Sequence, residues 1–91
     1  MVSGWFKLTQ APQIVLYRAE GCHLCERAAA QLAELREELG FELVAIAIDG
    51  DPELEPAYRE WIPVVEIDGR RRFVYHVHPD ALRRAVAQAS G

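Results

Sequence analysis

Two cysteines in 91 residues are too few for a disulfide framework, and they stand only three positions apart. A bridge between them would close too small a loop to restrict the unfolded chain, so their value has to be chemical. No stretch approaches the roughly 18 uninterrupted apolar residues of a membrane span, and the opening MVSGWFKLTQAPQ holds no apolar run long enough for a secretory signal. Positive charge is also scarce. Ten Lys and Arg stand against fourteen Asp and Glu, for a net charge of -4. That balance argues against a general binder of nucleic acid or of membrane surfaces, both of which call for a positive field. Internal repeats, low-complexity tracts and inter-domain linkers are absent as well, and a cytoplasmic protein is the expectation.

What is present suits one folded unit. Hydrophobic residues make up 51% and charged residues 26%, the balance of an ordinary water-soluble domain. A chain of this length can build one core without metal or disulfide staples, so residues 1–91 are expected to form a single domain. Residues 1–12 are set apart as an arm, in which Trp5 and Phe6 either cover a sheet edge or stay flexible.

Gln13 to Arg18 is a short apolar run rich in strand-favouring residues, closed by Glu20-Gly21, and it reads as a buried strand that delivers the chain to Cys22. From there Leu24, Ala28, Leu32, Leu35 and Leu39 recur at helical spacing on one face, and Gly40 is placed to end the helix. Phe41 to Ile48 is nearly all apolar, which predicts a parallel strand buried on both faces and stopped by Asp49-Gly50-Asp51-Pro52. Pro52 to Trp61 reads as a loop with one or two helical turns, because Pro56 interrupts it. Pro63 to Ile67 and Arg72 to His76 form a β-hairpin around Asp68-Gly69. Pro79 opens a last helix with Ala81, Leu82, Ala85, Val86 and Ala89 as its buried stripe. In a sheet ordered second, first, third, fourth strand, one end collects Cys22, Asp49, Asp51, Pro63, His76 and His78. The Asp68-to-Arg71 turn falls at the other end.

Glu20-Gly21-Cys22-His23-Leu24-Cys25 sets the first cysteine at a strand-to-helix junction, where free N–H groups and the positive end of the helix dipole favour a thiolate. Cys25 follows one helical turn later, close enough to attack a mixed disulfide on Cys22. Arg18 and a protonated His23 would favour the thiolate, and Glu20 would oppose it. His23 is either a proton shuttle or an exposed loop residue. Arg59, in the loop entering Ile62-Pro63, is the candidate for a substrate carboxylate. Arg70, Arg71 and Arg72 are read as a solvated hairpin tip. Tyr58 and Trp61 either pack inward or form an apolar rim.

From Gln13 to Ala89 this pattern resembles the thioredoxin superfamily and, within it, the small glutaredoxin-like proteins. The likeness rests on Leu16-Tyr17 leading into Gly21-Cys22-His23-Leu24-Cys25, on Trp61-Ile62-Pro63-Val64, and on the closing hairpin and helix. It implies an α/β thioredoxin-like (glutaredoxin-like) minimal fold, βαβ-ββα, with a four-stranded mixed sheet in the order 2-1-3-4 flanked by helices. It further implies a cis Pro63 facing the cysteine pair, with Ile62 offering its backbone to an extended substrate. The activity implied is that of a thiol-disulfide oxidoreductase without cofactor, a monomer with Cys22 attacking and Cys25 resolving. Its partners would be protein disulfides or glutathione. The chain departs from typical glutaredoxins in carrying His-Leu between the cysteines. It also has Tyr75-His76-Val77-His78-Pro79-Asp80 where the Gly-Gly and acidic residues that anchor glutathione would stand. Asp80 is either a remnant of that anchor or an acid that complements the helix dipole.

Two other classes of function compete. Cys22 and Cys25, with His76 or His78 or with a second chain, could hold a metal ion or an iron-sulfur cluster. Alternatively, the fold could serve as a non-catalytic protein-binding module.

Overall fold

Along Gln13–Arg18 (β1) Ile14 and Leu16 are fully buried while the residues between them are not, as expected for a strand with one face on a core. The computed structural model describes residues 11–90. After β1 come α1 (His23–Leu39), β2 (Glu42–Ala47), α2 (Leu54–Tyr58), β3 (Val64–Ile67), β4 (Arg70–Val74) and α3 (Pro79–Ser90). The strands form one mixed sheet in the order β2-β1-β3-β4. β1 and β2 run parallel from Gln13↔Glu42 to Arg18↔Ala47. β1 and β3 run antiparallel, with Tyr17 opposite Val64, and β4 returns antiparallel to β3. This is the α/β thioredoxin-like architecture, βαβ followed by ββα.

The core lies on one face of the sheet. Ile14, Leu16, Val65 and Ile67 meet Ala28, Leu32 and Leu35 of α1 and Leu82, Ala85 and Val86 of α3. Burying a leucine such as Leu32 or Leu82 contributes about 1.5–3 kcal/mol each, so this one-sided packing holds both helices to the sheet. Gly40 ends α1 in the left-handed region at φ 78°, donating its N–H to the Arg36 carbonyl. Asp68 and Gly69, at φ 50° and 84°, make the two-residue turn between β3 and β4. The ladder then slips between Glu66↔Arg71 and Val65↔Phe73, leaving Arg72 as the extra residue of a bulge.

Several expectations need correction. β2 is an edge strand and is not buried on both faces: Val44 is 40% exposed, because only one neighbour and one covering helix face it. Leu24 leaves the buried stripe of α1, and the fully buried Cys25 takes that position at the first turn. Ala89 of α3 is exposed. The fourth strand starts at Arg70, beside the turn, and stops at Val74, because Tyr75 leaves the extended conformation at φ 69°. Pro12, assigned to the arm, is buried, and its carbonyl accepts the Glu42 N–H at 3.0 Å. Trp5 and Phe6, with the rest of residues 1–10, lie outside the described residues. The one or two helical turns expected between Pro52 and Trp61 are present as α2, and Pro56 does not interrupt it. The proline occupies the first turn, where a helix asks for no N–H. No helix among the described residues is long and apolar enough to cross a membrane.

Candidate active site

β1 ends at Arg18, and the chain reaches Cys22 four residues later, at the start of α1. The junction is tied down on its β2 side. Ile48 N–H donates to the Arg18 carbonyl at 2.8 Å, and Glu20 N–H donates to Asp49 Oδ2 at 3.1 Å. Cys22 is the N-cap of α1, with extended backbone angles, and its Sγ accepts the Cys25 N–H at 3.1 Å. A sulfur in this position faces the unpaired N–H groups and the positive end of a 17-residue helix, an arrangement that stabilises a thiolate when the pair is reduced.

The two cysteines differ in access. Cys22 is partly exposed, whereas Cys25 is fully buried against the core side of α1. Their Sγ atoms form a disulfide, with Cα atoms 5.2 Å apart. An incoming group can therefore reach only the first sulfur, and the second lies behind it, one helical turn away.

β3 brings the next residues to the same end. The register ends with Tyr17 against Val64, so Ile62 and Pro63, which lead into β3, stand at the end of the sheet from which β1 runs on to Cys22. The Ile62–Pro63 peptide bond is cis, Pro63 is buried and Ile62 partly exposed. Tyr75 fastens this segment. Its N–H donates to the Pro63 carbonyl at 2.9 Å, its hydroxyl to the Glu60 carbonyl at 2.8 Å, and its ring lies 6.3 Å from that of Trp61. The backbone at Tyr75 makes a γ-turn, with His76 N–H on the Val74 carbonyl at 2.7 Å, a conformation unusual for a bulky residue.

The remaining candidates scatter. His23 is exposed on the first turn of α1. Arg59 is engaged rather than free: its guanidinium bonds Glu55 at 2.7 Å and stands 3.9 Å from Asp49. That bond holds the Glu55 carboxyl below the usual Glu range. A substrate carboxylate would have to compete with both acids. Tyr58 packs inward, stacked on Tyr17 at 4.3 Å, with its hydroxyl on Glu66 Oε2 at 3.1 Å, whereas Trp61 stays 43% exposed. Burial, and then the Glu66 carboxylate, pushes the Tyr17 hydroxyl above its ordinary value. Arg70, Arg71 and Arg72 lie at the opposite end, exposed. His76 remains beside Tyr75, while His78 turns to Phe73, with rings 5.9 Å apart. Among the described residues no three His, Cys, Asp or Glu side chains converge as a metal would require, and neither histidine joins the cysteines.

Two contributors were not legible in the sequence. Asp49 was placed at this end without a role, yet it binds the backbone of the cysteine loop. Tyr75 carried no signal, because a tyrosine after a strand does not announce a positive φ.

The sheet order, the cysteine pair at the β1–α1 junction and Pro63 at the neighbouring strand define a thioredoxin-fold protein with a Cys-x-x-Cys centre. The chain belongs to the Glutaredoxin-like domain (DUF836) family, which matches residues 13–87. It is 38% identical over 84 residues, 87% of each chain, to uncharacterized proteins of Mycobacterium tuberculosis H37Rv and Mycobacterium bovis. Among solved structures it is similar to protein Ne2328 of Nitrosomonas europaea, with a TM-score of 0.74 and 32% identity, covering 85% of this chain and 93% of that one. Chloroplastic thioredoxin z shares the fold at a TM-score of 0.72 and 20% identity, covering 100% of this chain and 93% of that one.

Proposed function

We propose that the protein is a thiol-disulfide oxidoreductase in which Cys22 attacks and Cys25 resolves. The observation that carries this reading is the asymmetry of the pair: a partly exposed N-cap sulfur with a backbone N–H on it, and a buried sulfur one turn behind. In the reduced protein the Cys22 thiolate forms a bond to one sulfur of a substrate disulfide. The substrate S–S bond breaks, and its other sulfur leaves as a thiolate that takes up a proton. Cys25, losing its proton, then attacks Cys22 Sγ and displaces the second substrate thiol. The substrate gains two electrons, and the protein ends as the Cys22–Cys25 disulfide. A low-molecular-weight or protein thiol returns it to the dithiol by the reverse exchange.

Protein disulfides and glutathione mixed disulfides are the proposed substrates, with the backbone at Ile62 flanking the exchange. Ile62 supports this role because it is partly exposed two residues before β3, at the end of the sheet where β1 leads to Cys22. The exchange uses no cofactor.

Single-turnover reduction of a protein disulfide tests this. The wild type is expected to reduce one disulfide per molecule, and Cys22→Ser none. Cys25→Ser is expected to stop as a mixed disulfide that intact mass locates on Cys22. Reduction by Cys22→Ser at the wild-type rate would refute the assignment.

A further inference from the structure

Four large apolar side chains stay exposed among the described residues, and three of them stand at the cystine end: Leu24 at 37%, Trp61 at 43% and Tyr75 at 39%. The aromatic pair is held in place. Tyr75 is bonded through its hydroxyl to Glu60 and through its N–H to Pro63, on either side of Trp61 and Ile62. Exposed aromatic surface fixed in this way is what protein contacts use, since little side-chain freedom is lost on binding.

Charge identifies the occupant. The segment from Asp49 to Glu60, which connects β2 to this end of β3, holds five carboxylates and one guanidinium, a net of -4 that equals the charge of the whole chain. Its only cation, Arg59, is already bound to Glu55. Of the hairpin arginines, Arg71 lies over the Tyr58 ring at 5.5 Å, so even with Arg71 counted the five carboxylates of the segment outnumber the cations beside them. An apolar patch bordered by acids disfavours an anionic ligand and draws a cationic one, and within a Debye length of about 8–10 Å these charges act on an approaching partner.

We propose that the Leu24, Trp61 and Tyr75 surface docks a cationic polypeptide that carries a disulfide beside an apolar residue, in preference to the anionic glutathione disulfide. This rests on the oxidoreductase reading of the cystine and names its substrate class. The exchange itself is the one described above, with the two electrons passing from the dithiol to the polypeptide's disulfide.

The test uses two synthetic peptide disulfides with the same leucine beside the cystine, one flanked by lysines and the other by glutamates. Glutathione disulfide and a neutral small disulfide complete the set. Rates of oxidation of the reduced protein are measured at low and high salt, each divided by the same protein's rate on the neutral disulfide. The lysine peptide is expected to exceed the glutamate peptide and glutathione disulfide by about tenfold or more at low salt, with the gap shrinking at high salt. Glu53→Gln/Glu60→Gln, which removes two exposed charges, should narrow the same ratio, and Trp61→Ala should lower both peptide ratios. Equal ratios for the two peptides, a preference for glutathione disulfide, or a ratio indifferent to salt and to the glutamate substitutions would overturn the proposal while leaving the chemistry intact. Failure to react with the neutral disulfide at all would instead remove the oxidoreductase reading, and this proposal with it.

Discussion

At the hairpin end of the sheet the left-handed backbone falls on Asp68 and Gly69, residue types that adopt it at little cost, and three arginines follow into solvent. At the cystine end it falls on Gly21 and Gly50, but also on Tyr75, an aromatic residue with no local reason to adopt it. There the cost is offset by bonds to Glu60 and Pro63 on a different segment. The ends differ in surface too. One presents guanidinium groups; the other presents Leu24, Trp61 and Tyr75 beside a carboxylate-rich loop. The same sheet thus ends once in a simple turn and once in a surface that fixes chain segments around a reactive sulfur. Strain and exposed apolar area are gathered where the chemistry is.

Substitutions can break this contrast. The largest effect is expected from the core that supports both ends. Leu82→Ala empties a fully buried position and should cost about 2–5 kcal/mol in urea unfolding, whereas Leu24→Ala, at the cystine end, should change stability by less than about 0.5 kcal/mol. A large stability loss from Leu24→Ala would mean that this side chain is structural rather than presented.

Next come two positive-φ positions, one from each end. Gly69→Ala places a Cβ in the left-handed region and should cost about 1–2 kcal/mol. Tyr75→Phe keeps the ring but removes the hydroxyl bond to Glu60, at about 0.5–1.5 kcal/mol. Tyr75→Phe should also speed amide exchange at Tyr75, and Gly69→Ala should not. Equal exchange in both variants would show that Tyr75 does not fasten the Pro63 segment.

Arg71 sits over the Tyr58 ring at 5.5 Å, a contact worth about 0.5–1 kcal/mol at an exposed site. Arg71→Gln should therefore cost more than Arg70→Gln, and neither should alter disulfide exchange.

The smallest effect is a pH dependence at the cystine end. Asp51 accepts N–H bonds from Leu54 and Glu53, which hold its carboxyl below the usual Asp range. Because its folded value lies below its unfolded one, its support of α2 is complete above the unfolded value. That support is lost as pH falls through the folded value. The Glu53 and Leu54 amide shifts should titrate below the ordinary Asp range and lose that titration in Asp51→Asn. Titration at the ordinary Asp value would contradict the capping role.

The Cys-x-x-Cys site was legible because its parts are close in sequence: a strand, a turn, and a cysteine where a helix begins. The crossover and the Asp68-Gly69 turn made the first two strands parallel and the last two antiparallel, while the full order 2-1-3-4 came from the family resemblance. Other features depend on contacts that spacing does not encode. Leu24 and Cys25 are both apolar and adjacent, and only the packing of α1 on the sheet decides which is buried. An apolar run such as Glu42–Ala47 reads alike in a central strand and in an edge strand. Pro56 suggested an interruption, yet a first-turn proline is compatible with a helix. Tyr75 and the bulge at Arg72 depend on partners elsewhere in the chain, and no residue type nearby marks them.

The most direct test of the central claim is a redox equilibrium. The protein would be equilibrated across glutathione buffers of graded ratio, its free thiols alkylated, and intact masses read for wild type and Cys25→Ser. The account predicts a wild type that passes from dithiol to intramolecular disulfide without a populated adduct, and a Cys25→Ser protein that accumulates glutathione on Cys22. Thiols that stay unreactive at every ratio, or an adduct that forms on Cys25 in Cys22→Ser as readily as on Cys22 in Cys25→Ser, would contradict it.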